Sequence, residues 1–281
     1  MRYVAIICAA LFLHGTAQGA RFPQDRAKAY VQSNMEKALN GDVQAMFELG
    51  NCYAKGRGVP QDHVRSASWY HKAASQGHAG AQAAFALCYL NGTGVSKDYA
   101  QAIIWLKSAS DQFNEIALMN LGLCYFNGVG VDKNEVEAYA YYCLAGISGE
   151  VSRAKITFME KTLSKDDLSS GKLRSEQLRR EIQDRADVRA VARYRKEAER
   201  GDSLSQGYLA GCYALGKGVP KDLIEAYAYY NLAGPANDEA RGNLAKLEAQ
   251  LSSEEIAAGQ KRTRILQNEI AARMASGAAT K

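Results

Sequence analysis

Apolar side chains recur along this chain at the spacing of an amphipathic helix. The first clear stripe falls at positions i, i+4, i+7 and i+8 and comprises Ala45, Leu49, Cys52 and Tyr53. Side chains at this spacing share one face of an α-helix. A Gly-x-Gly-Val segment follows the stripe, and glycine after the last periodic residue is typical of a helix end. The pattern therefore predicts a helix that stops at Gly56.

The same pattern occurs four times in the chain. A shift of 36 residues gives the second copy, another shift of 36 gives the third, and a shift of 88 gives the fourth. Every copy has Cys-Tyr followed by Gly-x-Gly-Val, and the four copies are Leu49–Val59, Phe85–Val95, Leu121–Val131 and Leu209–Val219. Repetition at a fixed interval predicts a repeat architecture rather than a single irregular core.

A second helix is predicted after each glycine loop. Three residues beyond the valine stands an Asp or Asn that can cap a helix, at Asp62, Asp98, Asn134 and Asp222. The helices that follow carry an aromatic residue at one shared position, namely Trp69, Trp105, Tyr141 and Tyr229. One such hairpin cannot bury its apolar face alone, so the hairpins are expected to stack into a solenoid.

A larger duplication underlies the interval of 88 residues. Glu137–Gly146 matches Glu225–Gly234, and the similarity extends over residues 113–182 and 201–270. In both copies a serine stands three residues before an acid, which is the spacing of a capping box that opens a helix, at Ser164 with Asp167 and Ser252 with Glu255. Each copy is therefore predicted to be a hairpin followed by two further helices.

These patterns predict an all-α solenoid of antiparallel helix pairs with additional helices. The predicted segments are a signal peptide (1–19), an N-terminal capping helix (20–40), three repeats (41–146), additional helices with a charged helical connector (147–200), a fourth repeat (201–234) and C-terminal helices (235–281). Acidic and basic side chains alternate along the connector, which favours a solvated helix over a nucleic-acid-binding patch.

The amino end has the features of a secretory signal. Arg2 supplies positive charge, Val4 to Leu13 form an apolar run, and Ala17 and Gly19 place small residues at a cleavage site. A run of this length is shorter than the roughly 20 residues that a membrane-spanning helix needs. We expect the mature chain to begin near residue 20 and to be exported to the periplasm or beyond.

Charge and cysteine usage narrow the functional classes. The formal net charge of +5 is too small to predict nucleic-acid binding. Four cysteines occupy one repeat position, at Cys52, Cys88, Cys124 and Cys212. Equivalent positions on stacked helices lie roughly 8–10 Å apart, beyond disulfide reach, so these side chains are predicted to be buried apolar groups. The redox state of Cys143 stays open.

The sequence contains no constellation that predicts catalysis, a cofactor or a metal. The mature chain has the histidines His63, His71 and His78, without acidic or cysteine residues at ligand spacing, and they are predicted to be solvated. The Gly-x-Gly pairs follow helices, whereas a dinucleotide-binding glycine motif follows a strand.

The repeat resembles the Sel-one-like repeat, which is related to the tetratricopeptide repeat. The resemblance rests on Leu-Gly-x-x-Tyr, Gly-x-Gly-Val, an acidic cap and an Ala-x-x-Trp-Tyr-x-x-Ala-Ala helix, over residues 41–146 and 201–234. The third hairpin departs from this pattern, because Phe113 stands where the first two have Gly41 and Gly77. Whether that inter-repeat turn keeps the same form is left open.

The resemblance implies a right-handed superhelix whose inner surface binds peptides or proteins. Bacterial members are often exported, so the prediction is an exported scaffold for protein interaction, without catalysis. Two alternatives follow from the same family: an envelope hydrolase or β-lactam-interacting protein, and a secreted host-directed effector. The cysteine-rich members with β-lactam chemistry carry cysteine pairs in each hairpin, whereas here only the third hairpin has two, Cys124 and Cys143.

Candidate partner-binding residues are polar side chains of the first helices that lie outside the apolar stripe and are expected to be exposed on the concave surface. They are Glu48, Asn51, Lys55, Asn91, Asn120 and Asn127. An amide side chain can both donate to and accept from a peptide backbone. Asn91 and Asn127 precede glycine, so helix closure is the alternative for them. A second candidate surface comprises Tyr139, Tyr142, Tyr227 and Tyr230, for which helix packing is the alternative.

Overall fold

The computed structural model describes residues 24–146, 150–234 and 237–278, and the predicted signal peptide lies outside them. Over these residues the protein consists of helices joined by short loops, so the all-α prediction is confirmed. The helices are α1 (Gln24–Leu39), α2 (Val43–Lys55), α3 (His63–Ser75), α4 (Ala79–Asn91), α5 (Tyr99–Ser110), α6 (Glu115–Asn127), α7 (Glu135–Ala145), α8 (Glu150–Thr162), α9 (Lys165–Ala198), α10 (Ser203–Leu215), α11 (Leu223–Ala233), α12 (Asp238–Glu248) and α13 (Ser253–Ala278).

The helices form two compact units. Unit 1 ends at Ile182 and unit 2 begins at Gln183, so the boundary falls inside the long helix α9. Unit 1 contains the hairpins α2–α3, α4–α5 and α6–α7, and unit 2 contains the hairpin α10–α11. The segment predicted as a solvated connector is less solvated than expected, because Ile182 and Val191 of α9 are buried in the cores of their units.

Side-chain caps open both helices of every hairpin. The predicted caps of the second helices are confirmed, and each accepts a backbone N–H at 2.9–3.0 Å: Asp62, Asp98, Asn134 and Asp222. The first helices are capped in the same way by Asp42, His78, Asn114 and Asp202. His78 is therefore not simply solvated as predicted, since its Nδ1 accepts the Ala81 N–H at 3.0 Å. Each cap satisfies a donor that the helix leaves unpaired.

Two glycines with different roles end each first helix. The first of the pair, at Gly56, Gly92, Gly128 and Gly216, is the left-handed C-cap, as predicted. The second lies against the backbone of the preceding helix: a Cβ at Gly58 would overlap the Ala27 carbonyl oxygen, and one at Gly94 would overlap that of His63. This close approach sets how tightly one hairpin stacks on the element before it.

The repeated cysteine contributes to the cores of the stack. Cys52, Cys88 and Cys124 are buried thiols, which confirms the prediction for these three residues. Cys212 and Cys143 are half-buried thiols. Burial raises the pKa of the Cys88 thiol to about 11, because the charged thiolate is poorly solvated there. These side chains therefore behave mainly as small apolar groups.

The duplicated module holds its last helix in the same way in both units. Arg174 of α9 donates to Glu137 of α7 at 2.8 Å, and Arg262 of α13 donates to Glu225 of α11 at 2.6 Å. Close helix contacts accompany these ion pairs, with Gly171 against the Tyr139 ring and Gly259 against the Tyr227 ring. The four tyrosines considered as a second recognition surface, Tyr139, Tyr142, Tyr227 and Tyr230, are all buried, so they serve helix packing.

The predicted capping box at Ser252 is complete, and at Ser164 the serine cap is present with its hydroxyl bonded to Asp167. Ser164 Oγ accepts the Asp167 N–H at 3.0 Å, and Ser252 Oγ accepts the Glu255 N–H at 3.2 Å. The Glu255 carboxylate also accepts the Ser252 backbone N–H at 2.8 Å, and this bond lowers the pKa of Glu255. The reciprocal bonds fix where α13 begins.

The turn before the third hairpin keeps the form of the other inter-repeat turns. Phe113 adopts a positive φ of 54°, whereas Gly77 at the equivalent position has 89°. The closing bond is also shared, since the Asn114 N–H bonds to Ala109 O at 3.2 Å and the His78 N–H bonds to Ala73 O at 3.1 Å. The sequence departure therefore places a bulky residue in a conformation that suits glycine.

Replacing this strained residue is expected to stabilise the protein. We predict that Phe113→Gly raises the free energy of unfolding by about 1 kcal/mol, because the left-handed conformation costs a side-chain-bearing residue about that much. The reverse change, Gly77→Phe, has open space around its Cβ and is expected to cost a similar amount. Urea denaturation followed by circular dichroism measures both. A loss of stability in Phe113→Gly would show that the aromatic contacts outweigh the strain.

Candidate partner-binding surfaces

Three of the predicted candidates lie at the exposed ends of their helices. Lys55, Asn91 and Asn127 are each the last residue before the C-cap glycine, and all three are exposed. Asn127 also donates from its amide to the Leu123 carbonyl of its own helix at 2.9 Å. This bond ties the Asn127 side chain to the last turn of α6, so one hydrogen-bond donor of its amide is already used within the helix.

The prediction that Glu48 and Asn51 are exposed is wrong. Both are half-buried. The Glu48 carboxylate accepts from the Tyr30 hydroxyl at 3.1 Å, and Asn51 Oδ1 accepts from the Tyr70 hydroxyl at 2.8 Å. Neighbouring helices α1 and α3 supply these tyrosines, so the two polar groups hold the first hairpin to its neighbours.

Asn120 was expected on the surface and is instead buried. Only 2% of its side chain is exposed, and its amide donates to the Ile116 carbonyl at 2.7 Å. Helix α6 packs against α4, α5 and α7, which enclose this position. The candidates of unit 1 therefore do not form one continuous polar surface.

An exposed apolar stripe runs along α10, the first helix of the fourth repeat. Leu204 is 62% exposed, Tyr208 is 50% exposed and Leu215 is 67% exposed. Their spacing of four and then seven residues places them on one face of the helix. We call these three residues the α10 stripe. The shift of 88 residues aligns them with Ile116, Asn120 and Asn127. The alignment of the repeats therefore shows apolar residues in the fourth repeat at two positions where the third repeat has the candidate asparagines.

A cleft opens beside the α10 stripe. It encloses about 260 Å³, part of it open to solvent. Its lining comes from three helices and the loop before the last of them, and comprises Leu204, Gly207, Tyr208, Tyr230, Asn237, Glu239, Ala240 and Asn243. The Asn237 side chain caps α12 by accepting the Ala240 N–H at 3.0 Å and donates to the Ser203 carbonyl at 3.2 Å, so the wall between α10 and α12 is well fixed.

The equivalent place in the first copy of the module is narrower. It encloses about 200 Å³ and is lined by Met119, Leu123, Tyr142, Val151 and Lys155. Across the shift of 88 residues, Gly207 replaces Met119 and Gly211 replaces Leu123. Gly211 leaves room beside Tyr230, whereas Gly207 packs against Asn237, whose Nδ2 would lie 3.0 Å from a Cβ there.

An acidic residue lines this cleft, and an arginine lies near it beyond a pair of tyrosine rings. On the α9 side, the Arg193 guanidinium lies 4.9 Å from the centre of the Tyr194 ring, which in turn lies 5.2 Å from the Tyr208 ring. On the α12 side stands Glu239. Burial and then the Glu239 charge raise the pKa of the Tyr230 hydroxyl, so it stays protonated at neutral pH. The surface thus combines aromatic rings and an arginine with an acidic rim.

The described part of the chain contains neither a group of metal ligands nor a helix that could span a membrane. No group of three or more potential metal ligands comes together among residues 24–146, 150–234 and 237–278. His63 and His71 are exposed there, and the His71 ring lies 5.1 Å from the Phe85 ring. Within the same residues, every helix is too short or too polar to span a bilayer.

The hairpin segments match a known repeat family. The Sel1 repeat model matches residues 43–78, 80–112, 116–149 and 203–234. The chain thus contains four Sel1 repeats. Proteins with Sel1 repeats are generally scaffolds for protein–protein interaction. The matched segments cover the hairpins and leave α1, α8, α9, α12 and α13 outside. The helices that complete each duplicated module, α8 with α9 and α12 with α13, are therefore additions to the Sel1 repeats.

Solved structures of Sel1-repeat proteins are similar to this chain. A protective antigen of uropathogenic Escherichia coli strains with an SLR fold is 22% identical (TM-score 0.48), and the similarity covers 89% of this chain and 59% of the antigen, so the chain spans under two thirds of that protein. A Sel1 repeat protein from Oxalobacter formigenes is 29% identical (TM-score 0.45), with coverage of 84% of this chain and 94% of that one. No curated protein shows significant similarity.

Proposed function

We propose that this Sel1-repeat protein is an exported scaffold that holds a protein or peptide partner on the first-helix face of its fourth repeat. The observation that carries the proposal is the α10 stripe. Leu204, Tyr208 and Leu215 are each at least half exposed on one side of a single helix. Large apolar side chains grouped on a surface mark an interaction site far more often than isolated ones do.

The composition of this surface suits a protein ligand. Tyr208 and Tyr194 present rings beside Arg193, and tyrosine and arginine are enriched where interfaces carry most of their binding energy. In unit 1, the equivalent face carries the buried Asn120 and the hydrogen-bonded Glu48. The fourth repeat is therefore the stronger candidate of the two units.

Export is the second part of the proposal, and the sequence supports it. The charged start, the apolar run from Val4 to Leu13 and the small residues before Ala20 are the features of a cleaved signal. The partner is then a component of the cell envelope or a molecule outside the cell. Osmotic-shock release followed by amino-terminal sequencing tests this, and a start near residue 20 is expected.

A capture experiment with matched variants tests the binding surface. Tagged mature protein is used as bait, and we expect Leu204→Ser with Leu215→Ser to reduce recovery of its specific partner at least tenfold. The control is Val64→Ser with Ile104→Ser, which removes apolar side chains that are 67% and 57% exposed in unit 1. This control is expected to capture as the wild-type does.

Unchanged circular dichroism in both double variants is expected, because all four side chains are exposed. Equal recovery by the α10 variant and the wild-type would refute the proposed surface. Equal losses of capture in the α10 and control variants would show that the protein binds through non-specific hydrophobic contacts. That result would also refute the proposed surface.

A further inference from the structure

We propose that the cleft between α10 and α12 receives one large apolar side chain of the partner. The partner segment carries an acidic residue towards α9 and a basic residue towards α12. This inference rests on the proposed function and specifies what the fourth repeat recognises.

The size of the cleft favours a single side chain over a small molecule or cofactor. Its volume of about 260 Å³, part of it open to solvent, falls below the roughly 300–1,000 Å³ of typical small-molecule sites. Leu204 and Tyr208 supply exposed apolar walls, and the buried Tyr230 forms the floor. An aliphatic or aromatic side chain inserted here gains contact on three sides.

Gly211 of α10 leaves space beside Tyr230. Glycine is among the least favourable residues in a helix interior. A Cβ at Gly211 would meet its nearest neighbour, the Tyr230 hydroxyl, at 3.6 Å, which is ordinary contact. Packing therefore does not require glycine at this position. Because residue 211 is glycine, the face of α10 beside Tyr230 stays open. In unit 1 the equivalent position is occupied by Leu123.

Glu239 at the rim of the cleft and Arg193 further out favour one kind of partner segment. Arg193 is held over the Tyr194 ring, within one further ring of the cleft wall at Tyr208. Glu239 stands on the opposite side and is exposed. A segment with an acid on one side of its apolar anchor and a base on the other complements both charges. Asn243 of α12 hydrogen-bonds to the Tyr230 hydroxyl and so fixes the floor of the cleft.

Short synthetic peptides test this assignment with the mature protein. The probes are acetyl-Gly-Asp-Gly-Leu-Gly-Lys-Gly-amide, the same peptide with Asp and Lys exchanged, and both peptides with Ala in place of Leu. Amide resonances of Gly207 and Gly211 are followed by nuclear magnetic resonance during titration. We expect both leucine peptides to shift both resonances, the two orders of charge to differ at least threefold in affinity, and the alanine peptides to bind at least tenfold more weakly. Equal affinity of the two leucine peptides would overturn the assignment of the charges.

The matched variant is Gly211→Leu, which gives α10 the residue that unit 1 has at this position. It is expected to fold at least as stably as the wild-type, because it removes a helical glycine without a close contact. It is also expected to lose the leucine-dependent shift of the Gly207 resonance. Loss of binding in a more stable protein cannot be attributed to unfolding.

Four results would overturn the cleft assignment. One is the absence of a shift at Gly207 with any peptide at millimolar concentration, and another is an equal response of wild-type and Gly211→Leu. The third is concentration-dependent self-association in sedimentation that Gly211→Leu abolishes, which would assign the cleft to a second copy of the chain. Gly211→Leu bait that still captures the partner would overturn the cleft assignment while the proposed function stands.

Discussion

Replacing Gly94 by alanine is expected to disrupt the stacking of the second hairpin on the first. A Cβ there would overlap the His63 carbonyl oxygen and come within 3.0 Å of the Val64 nitrogen, and both are backbone atoms that cannot rotate away. The positive φ of 75° adds strain for any other residue. We predict a loss of at least about 4 kcal/mol in the free energy of unfolding, a size that only severe packing faults reach.

The control for this prediction is the neighbouring Gly92→Ala. Gly92 also has a positive φ, of 70°, but its Cβ would meet only Lys97 atoms, at 3.4 Å or more. The expected cost is about 1 kcal/mol, from the left-handed conformation alone. Urea denaturation of both variants separates strain from overlap. Similar urea midpoints for the two variants would show that the hairpins can move apart at little cost in free energy. That result would contradict the tight stacking described for Gly94.

Replacing Gly259 by alanine is expected to loosen the last helix. Its Cβ would lie 2.5 Å from Cδ1 and 2.7 Å from Cγ of Tyr227, a buried ring that holds α13 against α11. Overpacking of this kind typically costs about 1–3 kcal/mol, and the upper end is expected because the ring is enclosed. Hydrogen exchange should then increase in residues 253–270 of α13.

The comparison for Gly259→Ala is Gly242→Ala in α12. Gly242 is also helical, and no atom lies within 4 Å of its Cβ position. This change is expected to stabilise unit 2 by roughly 0.5–1 kcal/mol, because alanine favours the helix. Opposite signs for the two substitutions are therefore predicted. Stabilisation by both would mean that α13 does not depend on the contact with Tyr227.

The hairpins could be predicted from the sequence because their determinants are local. The apolar spacing around Leu49, the caps such as Asp62 and the left-handed glycine at 56 act within a few residues of one another. Repetition at 36 and 88 residues then made each local signal visible several times. The same holds for the capping box at Ser252, which needs only a residue three positions away.

Exposure of the candidate side chains could not be predicted in the same way, because it depends on neighbours that are distant in the chain. Asn120 and Tyr208 occupy equivalent positions, yet the first is 2% and the second 50% exposed. The Tyr30 and Tyr70 hydroxyls that engage Glu48 and Asn51 come from adjoining helices. Pattern alone assigns a residue to a helix face but does not say what covers that face.

The module duplication separates a framework that both copies share from a surface that differs between them. Both copies keep the elements that hold the last helix, Arg174 with Glu137 and Arg262 with Glu225. They differ in the first helix, where Gly207 lines the cleft of unit 2 and Gly211 lies beside Tyr230. The framework is therefore common to the two copies, and the surface that we propose for recognition is specific to the second.

Site-specific photo-crosslinking in living cells tests the central claim most directly. A photoreactive phenylalanine analogue is introduced at Tyr208 in one strain and, as a control, at Ile265, which is 41% exposed on α13. The account predicts a discrete higher-mass adduct from position 208 and none from position 265. Absence of an adduct at 208, or equal adducts at both positions, would contradict a partner bound on the first-helix face of the fourth repeat.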